Sequence, residues 1–106
     1  MSVSRILGFP VLTVVASLAA HASASQALAR TDGCTACHSV EAKVVGPGFK
    51  EIAAKYRGDA AAETKLAAKV RQGGTGVWGQ VPMPPTPASV KDEDIQALVK
   101  WILSLK

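Results

Sequence analysis

Apolar residues recur at helical spacing toward the C-terminus of the chain. Ile95, Leu98, Val99, Ile102 and Leu103 follow one another at i, i+3, i+4, i+7 and i+8. This spacing places all five on one face of an α-helix, where they can pack against a core. The sequence therefore predicts a C-terminal amphipathic helix.

The start of this helix also has a recognisable signal. Ser89 followed by Asp92 resembles a capping box, so we expect Ser89 to cap the helix. The acidic run 92–94 favours a helix start, because carboxylates interact well with the positive end of the helix dipole. Lys100 and Lys106 lie toward the other end, where cations are favoured.

Three shorter helices are expected earlier in the chain. The first spans about Gln26 to Asp32, and Gly33 then lets the chain turn. The second is expected to end at Gly58. Its apolar residues lie on one face, and they are Phe49, Ile52, Ala53 and Tyr56. The third runs from about Ala60 to Gln72, where two glycines end it. Its apolar side chains, Leu66 and Val70, are expected to point inward.

Between the last two helices the composition changes. Four of the six prolines of the chain fall within six positions, at 82, 84, 85 and 87, and Met83 lies among them. Proline fixes φ and removes a backbone donor, so residues 78–89 should form a stiff, extended loop. Because no segment shows the alternation of a strand, we predict an all-α fold.

The N-terminus has the pattern of a secretory signal peptide. Arg5 precedes an apolar run over residues 6–20, and the small residues Ala22, Ser23 and Ala24 follow. We expect cleavage near residue 24, leaving residues 25–106 as one exported domain. The alternative is an uncleaved membrane anchor, but Gly8 and Pro10 interrupt the run. After cleavage we expect no membrane span.

Net charge argues against nucleic-acid binding. Without the leader, eleven basic and eight acidic residues remain, a net charge of +3. The basic residues are interleaved with acids such as Glu41, Glu51 and Glu63 instead of forming a stripe. A mixed, solvated surface is the simpler interpretation.

The strongest motif is Cys34-Thr35-Ala36-Cys37-His38. Two thiols at this spacing can each add to a vinyl group of haem while the adjacent imidazole reaches the iron, so the pentapeptide is typical of c-type haem attachment. A redox-active dithiol would need a βαβ context, and a zinc site would need a fourth ligand. We therefore predict one haem c, covalently bound through Cys34 and Cys37.

The iron ligands follow by elimination. His21 and Met1 belong to the leader, so His38 and Met83 are the histidine and the methionine that remain. A lone methionine is more commonly a core or surface residue without a ligand role. The proline-rich loop around Met83 instead favours a rigidly held sulfur ligand, and His/Met ligation raises the reduction potential of haem. With both axial positions filled by protein, the pattern favours electron transfer over catalysis.

These residues together resemble the cytochrome c-551 family of small class I bacterial cytochromes. The segments that carry the resemblance are Cys34–His38, Val45-Gly46-Pro47, Gly76-Val77-Trp78-Gly79, Pro82-Met83-Pro84-Pro85 and Lys100-Trp101. The resemblance covers nearly all of residues 25–106. It implies four to five helices wrapped around one covalent haem c, a periplasmic location, and service as an electron donor to a terminal reductase or oxidase.

The resemblance also implies roles for individual residues. The carbonyl of Pro47 would accept the Nδ1 proton of His38, although Pro47 could equally just begin the next helix. Lys69 and Trp78 would hydrogen-bond a haem propionate, although Trp78 could instead be a core residue. Trp101 we assign to core packing. Thr86 stands where the family often has asparagine, so a hydrogen bond to the Met83 sulfur is left open.

The predicted function is a diffusible, non-enzymatic carrier of single electrons, acting as a monomer. Its transient partners would be an upstream cytochrome or copper protein and a nitrite reductase, cytochrome oxidase or peroxidase. Lys43, Val44, Val45 and Lys50 could contribute to the docking surface. The alternative is a haem enzyme, such as a peroxidase, or a gas sensor in which Met83 detaches from the iron.

Overall fold

The structure, a computed structural model, describes residues 25–106 together with Ser2 and Gly8. The predicted signal peptide over residues 1–24 otherwise lies outside the described residues, and it stays a prediction. In the part of the chain that is described, no helix is both long and apolar enough to cross a membrane.

The described chain forms four α-helices and one short 3-10 turn. Helix α1 comprises the helical residues 25–31, and a 3-10 turn follows at Cys34–Ala36. Helices α2, α3 and α4 span Phe49–Lys55, Ala62–Gln72 and Asp92–Ser104. Within residues 25–106 there are two isolated β-bridges but no strand, so the predicted all-α fold is confirmed.

Helix α4 is the centre of the fold, because α2 and α3 both pack against it. Four of the five residues of its predicted apolar face are buried, at 9% exposure or less; they are Ile95, Leu98, Val99 and Ile102. Leu103 is only partly buried. Each such burial contributes about 1.5–3 kcal/mol relative to an exposed side chain. The helical periodicity thus identified the main core element.

An aromatic contact joins α4 to α2. The Phe49 and Trp101 rings meet edge to face, with centroids 5.5 Å apart and planes at 74°. Both side chains are buried and share one apolar cluster with Ala29 of α1. The assignment of Trp101 to core packing is confirmed.

The predicted cap of α4 is wrong. Helix α4 begins at Asp92, its N-cap position is Lys91, and no side chain caps it. Ser89 is exposed and lies three residues before the first helical residue, too far out to reach the free N–H groups of the first turn. The acidic residues at 92, 93 and 94 do occupy the first turn, as expected.

The proline-rich segment connects α3 to α4 without helical structure, as predicted. Helix α3 starts at Ala62, two residues later than the pattern suggested, after a turn in which Asp59 accepts a hydrogen bond from the Ala61 N–H at 2.9 Å. Side-chain hydrogen bonds of this kind stabilise a turn in competition with the helix. The segment from residue 73 to 91 therefore crosses the molecule as a loop.

Candidate functional site

The two cysteines lie in a turn directly after α1. Gly33 adopts φ +80°, a left-handed conformation that turns the chain into the 3-10 turn. The Cys34 carbonyl accepts hydrogen bonds from the N–H groups of Cys37, at 3.2 Å, and His38, at 3.0 Å. This local folding fixes both thiols and the imidazole within five consecutive residues. The thiols are free and half-buried.

The imidazole of His38 is oriented by the backbone of the next loop. Its Nδ1 lies 2.7 Å from the carbonyl oxygen of Pro47. Because a carbonyl oxygen can only accept, Nδ1 carries the proton and donates it. The other ring nitrogen, Nε2, therefore keeps its lone pair and can bind a metal ion. A hydrogen bond of this kind also makes the imidazole more basic.

Two further residues hold the ring in place. Phe49 stacks on the imidazole, with centroids 5.3 Å apart and an interplanar angle of 20°. On the side of Gly46 there is no space for a side chain, since a Cβ there would lie 2.6 Å from Cε1 of His38. The N–H of Gly46 donates to the Cys37 carbonyl at 2.8 Å, which binds this loop to the cysteine turn. The orientation of His38 is therefore set by packing and hydrogen bonding together.

Met83 is held by the residues that end α3. Its N–H and carbonyl exchange hydrogen bonds with Gly74, at 2.8 and 3.0 Å. A side chain at Gly73 would collide with the Met83 carbonyl, so this close approach needs glycine. The two glycines that end α3 thus also place the backbone of Met83.

The chain after Met83 is fastened to α3. The Thr86 hydroxyl donates to the Val70 carbonyl at 2.7 Å, and its hydrogen is therefore committed to α3 and not to the Met83 sulfur. The Arg71 guanidinium donates to the carbonyls of Pro87, at 3.0 Å, and Val90, at 2.6 Å. It also contacts a carboxylate oxygen of Asp92 at 2.7 Å.

A cavity of about 440 Å³ lies between these elements. All seven predicted site residues line it: Cys34, Cys37, His38, Pro47, Lys69, Trp78 and Met83. Apolar side chains of α3 and α4 form much of the remaining wall, including Leu66, Val70, Leu98, Val99 and Ile102. A predominantly apolar cavity of this size suits a small-molecule cofactor, for which pockets of about 300–1,000 Å³ are usual. The residues present therefore fit a haem.

The rim of the cavity carries Lys69 and Trp78. Lys69 is partly buried, and its ammonium lies close enough to Gly74 that a Cβ there would be 2.7 Å from Nζ. Trp78 is 41% exposed, and the Lys55 ammonium lies 5.4 Å from the centre of its ring. The side chains of Lys69 and Trp78 therefore both lie where a cofactor in the cavity would contact them.

The electrostatics near the cysteine turn are dominated by burial. Burial raises the pKa of the Cys34 thiol above its ordinary value of 9.0, and the negative charge of Asp32 adds to this effect. Burial also raises the pKa of Asp32, with a further contribution from Asp94. The Oδ2 atom of Asp32 is inaccessible and has no hydrogen-bond partner. Burial therefore makes ionisation of both groups less favourable than it is in water.

Sequence reasoning missed two residues that shape the site. The only signal for Gly46 in the sequence is that it is a glycine eight residues after a candidate histidine ligand, where a close approach of backbone to ring would need one. Arg71 gave no signal, because its backbone and carboxylate partners lie 15 to 21 residues further along the chain.

Comparisons with known proteins agree with this geometry. The family model for cytochrome c matches residues 22–106. The chain is 58% identical to cytochrome c-551 of Allochromatium vinosum over 99 residues, which is 93% of this chain and all of that protein. It is 47% identical to cytochrome c-551 of Pseudomonas aeruginosa over 76% of each chain.

A solved structure shows the same fold. The crystal structure of wild-type Nitrosomonas europaea cytochrome c552 superposes with a TM-score of 0.73 at 54% sequence identity, covering 76% of this chain and 99% of that one. The family model, the related sequences and the helical fold around the haem-sized cavity agree with one another. The chain belongs to the cytochrome c family, as a small class I c-type cytochrome with one covalently bound haem c.

Proposed function

We propose that this cytochrome is a carrier of single electrons in the periplasm, with His38 and Met83 as the two axial ligands of its iron. The observation that carries the proposal is the cavity that has both His38 and Met83 on its wall, next to the two thiols. The haem, when bound, takes up and releases one electron at its iron. The protein supplies the ligands, the attachment and the apolar surroundings.

The two cysteines would provide the covalent attachment. Cys34 and Cys37 are free thiols on the cavity wall, and the turn that contains them also contains His38. Each thiol would form a thioether bond by addition to a vinyl group. The imidazole at the next position would then bind the iron through Nε2, because Nδ1 is occupied by the Pro47 carbonyl.

The geometry of Met83 suits a permanent ligand. Its backbone is paired with Gly74 on one side, and three prolines stand at positions 82, 84 and 85. Stiff backbone lowers the entropy that is lost when a weak sulfur ligand binds. With His38 and Met83 both binding the iron, the protein would leave no position free for a substrate. We therefore propose an electron carrier and not an enzyme.

Lys69 and Trp78 are proposed to hold a haem propionate. Both line the cavity, and each carries an N–H group that can donate a hydrogen bond to a carboxylate. Lys55, which lies over the Trp78 ring, adds positive charge at the same edge. A carboxylate at this position would find two donors and a further cation close by.

Electron exchange with partners would take place where the cavity opens. Val44 and Val45 are 57% and 48% exposed, so they can contribute an apolar contact. The ammonium of Lys50 is 2.8 Å from the Glu41 carboxylate, and its charge is therefore partly balanced. Such a small, mixed surface suits transient contacts. We propose a monomer that accepts electrons from an upstream cytochrome or copper protein.

The proposed acceptors are a terminal reductase or oxidase, with nitrite reductase, cytochrome oxidase and a peroxidase as candidates. Stopped-flow oxidation of the reduced protein by each purified candidate would rank them. The physiological acceptor should react close to the rate limit set by diffusion, and this rate should fall with ionic strength if charge steers the encounter.

Absorption spectroscopy of the ferric holoprotein tests the proposed ligands. We expect a low-spin spectrum with the weak long-wavelength band of methionine-ligated haem. Met83→Ala should abolish this band and give a high-spin spectrum, whereas Val44→Ala, at an exposed residue that does not line the cavity, should keep it. A high-spin wild-type spectrum at neutral pH would refute the proposed closed iron site.

A further inference from the structure

We propose that Arg71 is a positioning residue that keeps Met83 at the iron by fixing the chain that follows it. The inference rests on the proposed function, in which Met83 is an axial ligand. Arg71 lies at the end of α3 and does not line the haem cavity in the described structure. Its effect on the iron would therefore act through the backbone of the Met83 loop.

The guanidinium of Arg71 connects α3 to the loop after Met83 and to the start of α4. It donates to the carbonyls of Thr86, at 3.4 Å, Pro87, at 3.0 Å, and Val90, at 2.6 Å. It also forms an ion pair with Asp92 of α4 at 2.7 Å. The planar guanidinium offers five donors in a fixed arrangement, so a single side chain can bind several carbonyls at once.

The loop needs hydrogen-bond donors from outside because several of its residues have no backbone N–H group. Pro84, Pro85 and Pro87 carry no backbone N–H, so this stretch cannot build a regular hydrogen-bonded structure by itself. The Thr86 N–H reaches back to α3, with the carbonyl oxygens of Val70 and Arg71 both at 3.3 Å. The Thr86 hydroxyl and the Arg71 side chain complete the attachment.

In this proposal, Met83 leaves the iron when its segment moves away from the cavity. The backbone hydrogen bonds between Met83 and Gly74 hold this segment against the end of α3. The hydrogen bonds of Arg71 hold the stretch of chain that follows Met83, within eight residues of it. Loss of these bonds should increase the population in which Met83 is detached. An external ligand that binds only that population would then bind more tightly in proportion.

Imidazole titration of the ferric holoprotein measures this population. Imidazole competes with the methionine sulfur, and the long-wavelength band reports its displacement. Arg71→Lys keeps the positive charge next to Asp92 but cannot bridge several carbonyls. We expect it to lower the Kd of imidazole about tenfold. Thr86→Val removes the second attachment at nearly constant shape and should lower the Kd by a smaller factor.

Two variants separate this role from general stabilisation. Lys65→Gln removes the ion pair with Asp59 near the other end of α3, and Asp92→Asn removes only the ion pair of Arg71. Both should leave the Kd of imidazole within about twofold of wild type, since exposed ion pairs contribute little. A merely structural role would instead make the Kd of imidazole follow the melting temperature across all four variants.

The outcomes are distinct from those of the proposed function. If the wild type shows the methionine band and Arg71→Lys binds imidazole with wild-type affinity, the positioning role is refuted while Met83 ligation stands. If Arg71→Lys does not fold, wild-type affinity in Thr86→Val refutes the role. A wild type without the band overturns the proposed ligation, and the inference with it.

Discussion

His38 donates its Nδ1 proton to the carbonyl oxygen of Pro47 across 2.7 Å, and this bond fixes which ring nitrogen is free to bind iron. The two residues are nine positions apart, and the intervening loop is tied to the cysteine turn through Gly46. The ligand and the group that orients it therefore belong to one continuous hydrogen-bonded unit. Several measurable properties depend on this unit.

Gly46→Ala should displace the His38 ring, because its Cβ would lie 2.6 Å from Cε1. A longer bond to Pro47 makes the imidazole less basic, which disfavours ferric iron, so the reduction potential should rise. Overpacking should also cost about 1–3 kcal/mol of stability. Film voltammetry and thermal melting measure the two effects.

The control is Gly48→Ala, which crowds the backbone of Ala42 at about 3.0 Å instead of the imidazole. It should lower the melting temperature without shifting the potential. Equal shifts in both variants would show that the potential follows general destabilisation and not the orientation of His38.

Phe49→Ala should destabilise the protein by about 3–5 kcal/mol, the usual cost of removing a buried phenylalanine. Phe49 is 3% exposed and contacts both His38 and Trp101. Urea unfolding followed by far-UV circular dichroism measures the loss. Phe49→Leu keeps most of the apolar volume and should cost much less. A small loss in Phe49→Ala would show that the aromatic contacts are not central to the core.

Asp32→Asn should stabilise the protein at neutral pH. Burial and Asp94 raise the pKa of Asp32 above 3.8, so the folded state holds this proton more tightly than the unfolded state. The charged carboxylate therefore costs stability at pH values above its folded pKa, and protonation relieves this cost as the pH falls through that value. The gain should be below about 1 kcal/mol, because the side chain as a whole is only partly buried. Urea unfolding between pH 3 and 7 measures it.

Asp59→Asn serves as a control of opposite sign. The hydrogen bond from the Ala61 N–H is the main cause that lowers the pKa of Asp59 below 3.8, and Lys65 is the second cause. The charge of Asp59 therefore stabilises the fold at pH values above the pKa that this group has in the unfolded chain. This variant should lose stability at neutral pH, and the loss should vanish as the pH falls through the folded pKa. If both variants responded to pH in the same direction, this assignment of the two carboxyl groups would be wrong.

The variant with both Cys34→Ala and Cys37→Ala should lose cooperative unfolding. The cavity of about 440 Å³ lies against α4, and the apolar side chains that line it have too few protein neighbours without the cofactor. Thermal melting followed by near-UV circular dichroism tests this. Thr35→Ala, between the two cysteines and exposed, should melt like the wild type. A cooperative, wild-type melt of the double variant would contradict the expectation.

The amino-acid sequence determined the features that depend on local pattern. Apolar spacing placed α4 and its buried face, because a helix brings residues i, i+3 and i+4 together wherever it lies in the fold. The cysteine motif works in the same way, since one turn of chain holds both thiols and His38. The prolines also act locally, by removing the donors that a helix needs.

Tertiary structure decided the contacts between distant segments. Ser89 resembled a cap, but the path of the loop starts α4 at Asp92 and leaves Ser89 exposed. Arg71 reaches Asp92 across 21 positions, and Thr86 gives its hydroxyl to Val70, 16 positions back. Such pairings depend on how α3 packs against α4 and how the loop between them crosses the surface. No local spacing encodes that path, because it results from burying the faces of several helices at once.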